Sequence, residues 1–100
     1  MTTDPIVIVS AARSPIGRAN KGSLVDMRPD DLATQVVTSL MERSGVDASE
    51  VEDLIMGCGQ PGGESGFNIA RVAAILAGLG DVPGVTVNRY CSSSLQAIRM

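Results

Sequence analysis

The chain has 100 residues, 44% of them hydrophobic and 19% charged, with a net charge of -3, which sizes it as one domain or less. Its eight Lys and Arg residues are scattered and its only aromatics are Phe67 and Tyr90, which excludes a basic face with interleaved rings for binding nucleic acid. The longest apolar runs, such as Val72 to Leu79, fall far short of a membrane span. With Asp4 in place of a basic leader and the run Ile6 to Val9 ending at Ser10-Ala11-Ala12-Arg13, the start does not read as a signal peptide, and a cytoplasmic protein is expected. So few aromatics leave a core of Val, Ile, Leu, Ala and Met, which suits β-branched strands covered by helices.

In chain order, Ile6 to Val9 reads as a first strand and Arg13 to Arg28 as a polar loop broken by Pro15, Gly17 and Gly22. A helix opens near Pro29, with Asp30 and Asp31 in its first turn where the dipole favours negative charge. Leu32, Val36, Val37, Leu40 and Met41 recur at helical spacing, and Gly45 supplies the stop. Ser49 and Glu52 are spaced as a capping box for a short turn. Leu54-Ile55-Met56 reads as a second strand, followed by a glycine-rich loop to Gly66. A second helix then carries Ile69, Val72, Ala73, Leu76 and Leu79 on one face and ends at Gly78 and Gly80. Val85-Thr86-Val87 is the third strand, and Ser92 onward is helical with Leu95 and Ile98 on one face. This β-α-β-α-β-α order predicts an α/β fold with a parallel sheet covered by helices. The last helix has no stop before Met100, so residues 1–100 are expected to be an incomplete N-terminal domain, a fragment of a longer chain whose C-terminal half is absent.

The chemistry centres on Cys91, which lies where the third strand turns into the last helix and is followed by Ser92, Ser93 and Ser94. In open α/β sheets ligands bind beyond the C-terminal ends of the strands. The first N–H groups of a helix are unpaired and point into that crevice, where they favour a thiolate and can hold an oxyanion. Against this, a lone cysteine near a strand end is most often a small buried hydrophobe. Cys58 sits between glycines at the end of the second strand, but a long loop separates it from the next helix, so a structural or incidental role is expected there. Cys58 and Cys91 match no zinc or CxxC spacing, and the chain contains no histidine, so no metal site is expected and the commonest general base is missing. Gly57 to Gly62 matches GxGxxG formally, yet Pro61, the delayed helix and the lack of an acid after the third strand argue against a dinucleotide site. Arg13, Arg18 and Arg71 could meet phosphates, but isolated arginines default to solvated or ion-paired faces.

The stretch Asn88-Arg89-Tyr90-Cys91-Ser92-Ser93-Ser94-Leu95-Gln96-Ala97-Ile98 resembles the nucleophile motif of the thiolase family. Ala12-Arg13-Ser14-Pro15-Ile16-Gly17 and Gly66-Phe67-Asn68-Ile69-Ala70-Arg71 resemble two further thiolase segments, and Ala77-Gly78-Leu79 through Asn88 resembles the approach to the nucleophile. Many thiolases carry glutamine where Phe67 stands. The resemblance implies a layered α/β/α/β/α fold in the full protein, of which this chain is most of the first half. It implies acyl transfer between coenzyme A thioesters, in the direction of Claisen condensation or of thiolytic cleavage of a 3-ketoacyl-CoA, with Cys91 as the acyl-carrying nucleophile and its backbone N–H as a candidate oxyanion donor. Coenzyme A and acyl-CoA are then substrates, and no permanently bound cofactor is expected. The activating histidine and a second cysteine are expected beyond Met100, so this stretch alone is expected to be inactive. A homodimer or homotetramer is implied, with Val85 to Arg89 near the dimer contact. Two alternatives stand beside this reading. β-Ketoacyl synthases share the Cys-Ser-Ser-Ser pattern but typically carry Asp-Thr-Ala before the cysteine, where this chain has Asn88-Arg89-Tyr90. A non-catalytic relative would keep the fold while usually losing the nucleophile.

Overall fold

The computed structural model describes residues 4–100. Helix α1 spans Pro29–Ser44, strand β1 Leu54–Gly57, helix α2 Ile69–Leu76, strand β2 Gly84–Val87 and helix α3 Ser93–Arg99, with 3-10 turns at Ala48–Glu50, Gly63–Ser65 and Tyr90–Ser92. The strands pair in parallel, with Leu54 opposite Gly84 and Gly57 opposite Val87. Because side chains alternate along a strand, Leu54, Met56, Gly84 and Thr86 share one face. That face receives α2, through Thr86 and the half-buried Leu54, while Gly57 on the other face receives α3. Helix α1 packs on α2. The described residues thus form an α/β fold, with helices on both faces of a small parallel sheet.

Helix α1 follows its sequence signals. Pro29 opens it, Asp30 and Asp31 fill its first turn, and Gly45 at φ 70° ends it with its N–H on the Met41 carbonyl at 3.2 Å. Val37 and Met41 face a core built on Ala74, Leu79 and Val82. Arg28, just before the helix, bonds Asp30 at 3.0 Å and reaches Glu64 at 3.2 Å, tying the loop before α2 to the start of α1. Arg28 and Glu64 are both solvated, so that pair steers the loop more than it stabilises it.

Four expectations need correction. Ile6 to Val9 is exposed and joins no strand. A strand exists only through pairing, and no other strand lies beside this run among the described residues, so β-propensity alone does not make one. The sheet therefore has two strands, not three. The turn before β1 is capped by Asp47, not Ser49: its carboxylate accepts the Ser49 N–H at 2.9 Å and the Ser49 hydroxyl at 2.8 Å. Helix α2 buries Ile69, Ala70, Ala73 and Ala74, and exposes Leu76. The small alanines permit close approach to the sheet, and that favours them over the larger apolar residues. Leu79 is buried beyond the helix end, because Gly78 at φ 80° closes a Schellman turn in which Leu79 N–H donates to the Ala74 carbonyl at 2.8 Å and Gly78 N–H to the Ile75 carbonyl at 3.2 Å. Finally, α3 turns Leu95 and Ile98 outward and sets Ser93 and Ala97 toward β1.

Two outcomes test this packing. A Cβ on Gly57 would lie 2.4 Å from backbone atoms of Ser93 and Ser94, so Gly57→Ala should destabilise the protein by about 1–3 kcal/mol in denaturant unfolding. The Asp47 carboxyl is held below its ordinary value of 3.8, chiefly by the Ser49 N–H and then by the Ser49 hydroxyl. A depressed carboxyl stabilises the fold above its unfolded value and loses that contribution as pH falls through the folded one. Asp47→Asn should therefore lower stability at neutral pH, and its difference from the wild type should vanish as the pH drops below 3.8, read as unfolding midpoints across a pH series.

Candidate active site

Beyond Val87 the chain leaves the sheet through Asn88 and Arg89 and enters the 3-10 turn Tyr90–Ser92, which runs directly into α3. Tyr90 takes φ 48°, a left-handed conformation that costs a residue with a Cβ about 1–2 kcal/mol. Local hydrogen bonds hold it there. Tyr90 N–H donates to Asn88 Oδ1 at 2.8 Å, Ser93 Oγ donates to the Tyr90 carbonyl at 2.7 Å, and Arg89 N–H donates to Ser93 Oγ at 2.8 Å. Ser93 is 3% exposed, and its hydroxyl is both donor and acceptor. The serines after Cys91 therefore differ in kind: Ser92 and Ser94 face solvent, while Ser93 is a buried clasp.

Cys91 is a free, exposed thiol on this turn. The expected cluster of open helix amides is narrower than the sequence implies. Ser92 N–H is taken by the Arg89 carbonyl at 3.0 Å and Ser93 N–H by the Tyr90 carbonyl, because a 3-10 turn closes these bonds before the α-helix begins. The N–H of Cys91 itself has no partner among the described residues. Beside the turn lies a cleft of about 320 Å³ lined by Gly59, Gln60, Pro61, Gly62, Asn88 and Tyr90.

Cys58 continues the line of β1 and gives its N–H to the Val87 carbonyl at 3.0 Å, so it is half-buried at the end of the ladder. The Gly57 to Gly62 loop passes close to the Tyr90 turn at Gly59, and the helix opens only at Ile69. No three His, Cys, Asp or Glu side chains gather as a metal site among the described residues.

The sequence reading missed the device that seats α2. Phe67 and Asn68 both take φ 56°, and Asn is among the residues that tolerate this region. Asn68 Nδ2 donates to the Gly84 carbonyl at 2.9 Å, and its Oδ1 accepts from Thr86 Oγ1 at 2.8 Å. Thr86 Oγ1 in turn accepts the N–H of buried Ala70 at 3.1 Å. Arg71 is half-buried and bonds the Val82 carbonyl at 2.8 Å, so it braces the helix against the turn before β2 and is not on a solvated or ion-paired face. The signal in the sequence was the pairing of an Asn before a helix with a Thr in a strand, which no local pattern links.

The arrangement defines an α/β domain that carries an exposed cysteine on a strained strand-to-helix turn. The family model for the thiolase N-terminal domain matches residues 6–100, and the chain belongs to that family. It is similar to the 3-ketoacyl-CoA thiolase of Bacillus subtilis (strain 168), with 53% identity over 93 residues, covering 92% of this chain and 24% of that protein. It is also similar to the 3-ketoacyl-CoA thiolases of Pectobacterium carotovorum (44% identity, 95% of this chain and 25% of that protein) and Cronobacter sakazakii (45% identity, 95% and 25%). The chain thus spans about a quarter of the length of these relatives.

Thr86→Val tests the α2 seat. It leaves the Ala70 N–H without its acceptor and Asn68 Oδ1 without its donor, and should cost about 1–3 kcal/mol in denaturant unfolding, whereas Thr86→Ser, which keeps the hydroxyl, should cost less.

Proposed function

We propose that this domain belongs to an acyl-CoA acyltransferase that forms its thioester on Cys91. The observation that carries the reading is the placement of Cys91: an exposed thiol, fixed on a strained turn, with its own N–H unpaired. Membership of the thiolase family, and its similarity to 3-ketoacyl-CoA thiolases, support coenzyme A thioesters, including 3-ketoacyl-CoA, as the substrate class.

In the acylation step the Cys91 sulfur attacks the thioester carbonyl carbon of the acyl-CoA. The new carbon–sulfur bond forms as the bond to coenzyme A breaks, and the proton lost from Cys91 ends on the departing coenzyme A thiol. Negative charge gathers on the carbonyl oxygen during attack, and the Cys91 N–H is a donor available for it. A thiol is activated by a neighbouring base or a lowered pKa. This chain holds no histidine, so we assign the base, and the second cysteine of the full reaction, to residues beyond Met100. We further assign to the β2 edge that faces away from β1 a role in self-association: a strand edge with no partner among the described residues accepts another strand, and Val85 to Val87 run along it, with Asn88 and Arg89 just beyond its end.

Intact mass tests the reading on protein purified from its own source and incubated with acetyl-CoA. The wild type should gain one acetyl group and Cys91→Ala none, with acyl transfer falling by several orders of magnitude in the variant. A wild-type protein that gains no acyl group from acetyl-CoA or from longer 3-ketoacyl-CoA esters overturns the proposal.

A further inference from the structure

We infer that Ser93 is a positioning residue for the reaction at Cys91, an inference that rests on the acyl-transfer reading above. Its hydroxyl reaches back across Cys91, donating to the Tyr90 carbonyl of the peptide directly before it and accepting from Arg89 N–H, which lies in the peptide that joins Asn88 to Arg89. The Tyr90 carbonyl belongs to the same peptide as the Cys91 N–H. Rotation at Tyr90 out of its left-handed conformation would swing that peptide, and with it the direction of the N–H and the base of the thiol. Asn88 holds only the Tyr90 N–H on the other side of the rotating bond, so it does not fix the peptide by itself. Ser93 is itself held from behind: its backbone packs against Gly57, where no side chain intervenes. Burial keeps water from competing for the hydroxyl. The Ser93 N–H also donates to the Tyr90 carbonyl, and the hydroxyl adds the link from that carbonyl to Arg89 N–H, so Ser93 couples the end of β1 to the orientation of the candidate nucleophile and of its candidate oxyanion donor.

The test compares wild type, Ser93→Ala, Tyr90→Gly and the double variant, each expressed as the complete product of the gene. Readouts are taken per folded molecule: the rate and concentration dependence of Cys91 acylation by acetyl-CoA, and the rate of Cys91 alkylation by iodoacetamide. Ser93→Ala should slow acylation on the order of 100-fold with little change in half-saturating acetyl-CoA, as expected of misplaced reacting groups, and should change the alkylation rate. Glycine at position 90 adopts the left-handed region without strain, so Tyr90→Gly should restore most of the loss in the Ser93→Ala background. A purely structural serine would lower the folded fraction alone. Wild-type rates in folded Ser93→Ala, or no recovery in the double variant, overturn the inference. If the wild type is not acylated at all, the acyl-transfer reading fails instead; alkylation still decides the positioning role, which an unchanged rate in Ser93→Ala overturns.

Discussion

The arrangement depends on one close approach, the backbone of α3's first turn lying against the end of β1. At Gly57 even a methyl group would collide with Ser93 and Ser94, so the helix can reach the strand only where a side chain is missing. That contact fixes the height of α3 on the sheet. The turn that carries Cys91 is then stretched between two fixed points, β2 behind it and α3 ahead. Its left-handed residue follows from this geometry: the chain must reverse over few residues, and Tyr90 takes the conformation that closes the distance.

The opposite face of the sheet uses the same logic with different residues. The buried side of α2 is Ile69, Ala70, Ala73 and Ala74, and three of the four are alanine. Such a face gains little from apolar area per residue, but it lets backbones come close enough for side chains on one element to bond the backbone of the other. Asn68, Thr86 and Arg71 exploit that distance. What the small residues forgo in burial, polar contacts between helix and strand offset. This suits a chain with only two aromatic residues, which has no large side chains to fill wider gaps.

Much of this was legible in the sequence where the signal is local. Pro29 with Asp30 and Asp31, and Gly45 as a left-handed stop, mark α1 because caps are read from neighbouring residues. Leu54 to Met56, Val85 to Val87 and the position of Cys91 at a strand-to-helix junction were equally plain. The readings that failed concern partners distant in the chain. Ile6 to Val9 has the composition of a strand, but composition does not supply a neighbouring edge. Leu76 has the period of a core residue, but the tight approach of α2 to the sheet selects alanine. The Ser93 clasp was hidden within a run of three serines, since nothing in their order says which hydroxyl turns inward.

That inward turn explains how a strained site persists without a large core around it. A left-handed tyrosine is unfavourable by itself, and an isolated turn would relax it. Here the donor and acceptor groups on both sides of Tyr90 are matched, by Asn88 before it and Ser93 after it, and relaxation would leave the buried Ser93 hydroxyl without its partners. Losing hydrogen bonds at a buried group costs as much as the strain it would relieve. The same local balance leaves the Cys91 amide unspent, because the 3-10 turn satisfies the amides of Ser92 and Ser93 after it, while Asn88 and Ser93 take those of Tyr90 and Arg89 before it. An open donor next to an exposed thiol is thus a product of how the turn closes, and it is written in side chains that flank the cysteine on both sides.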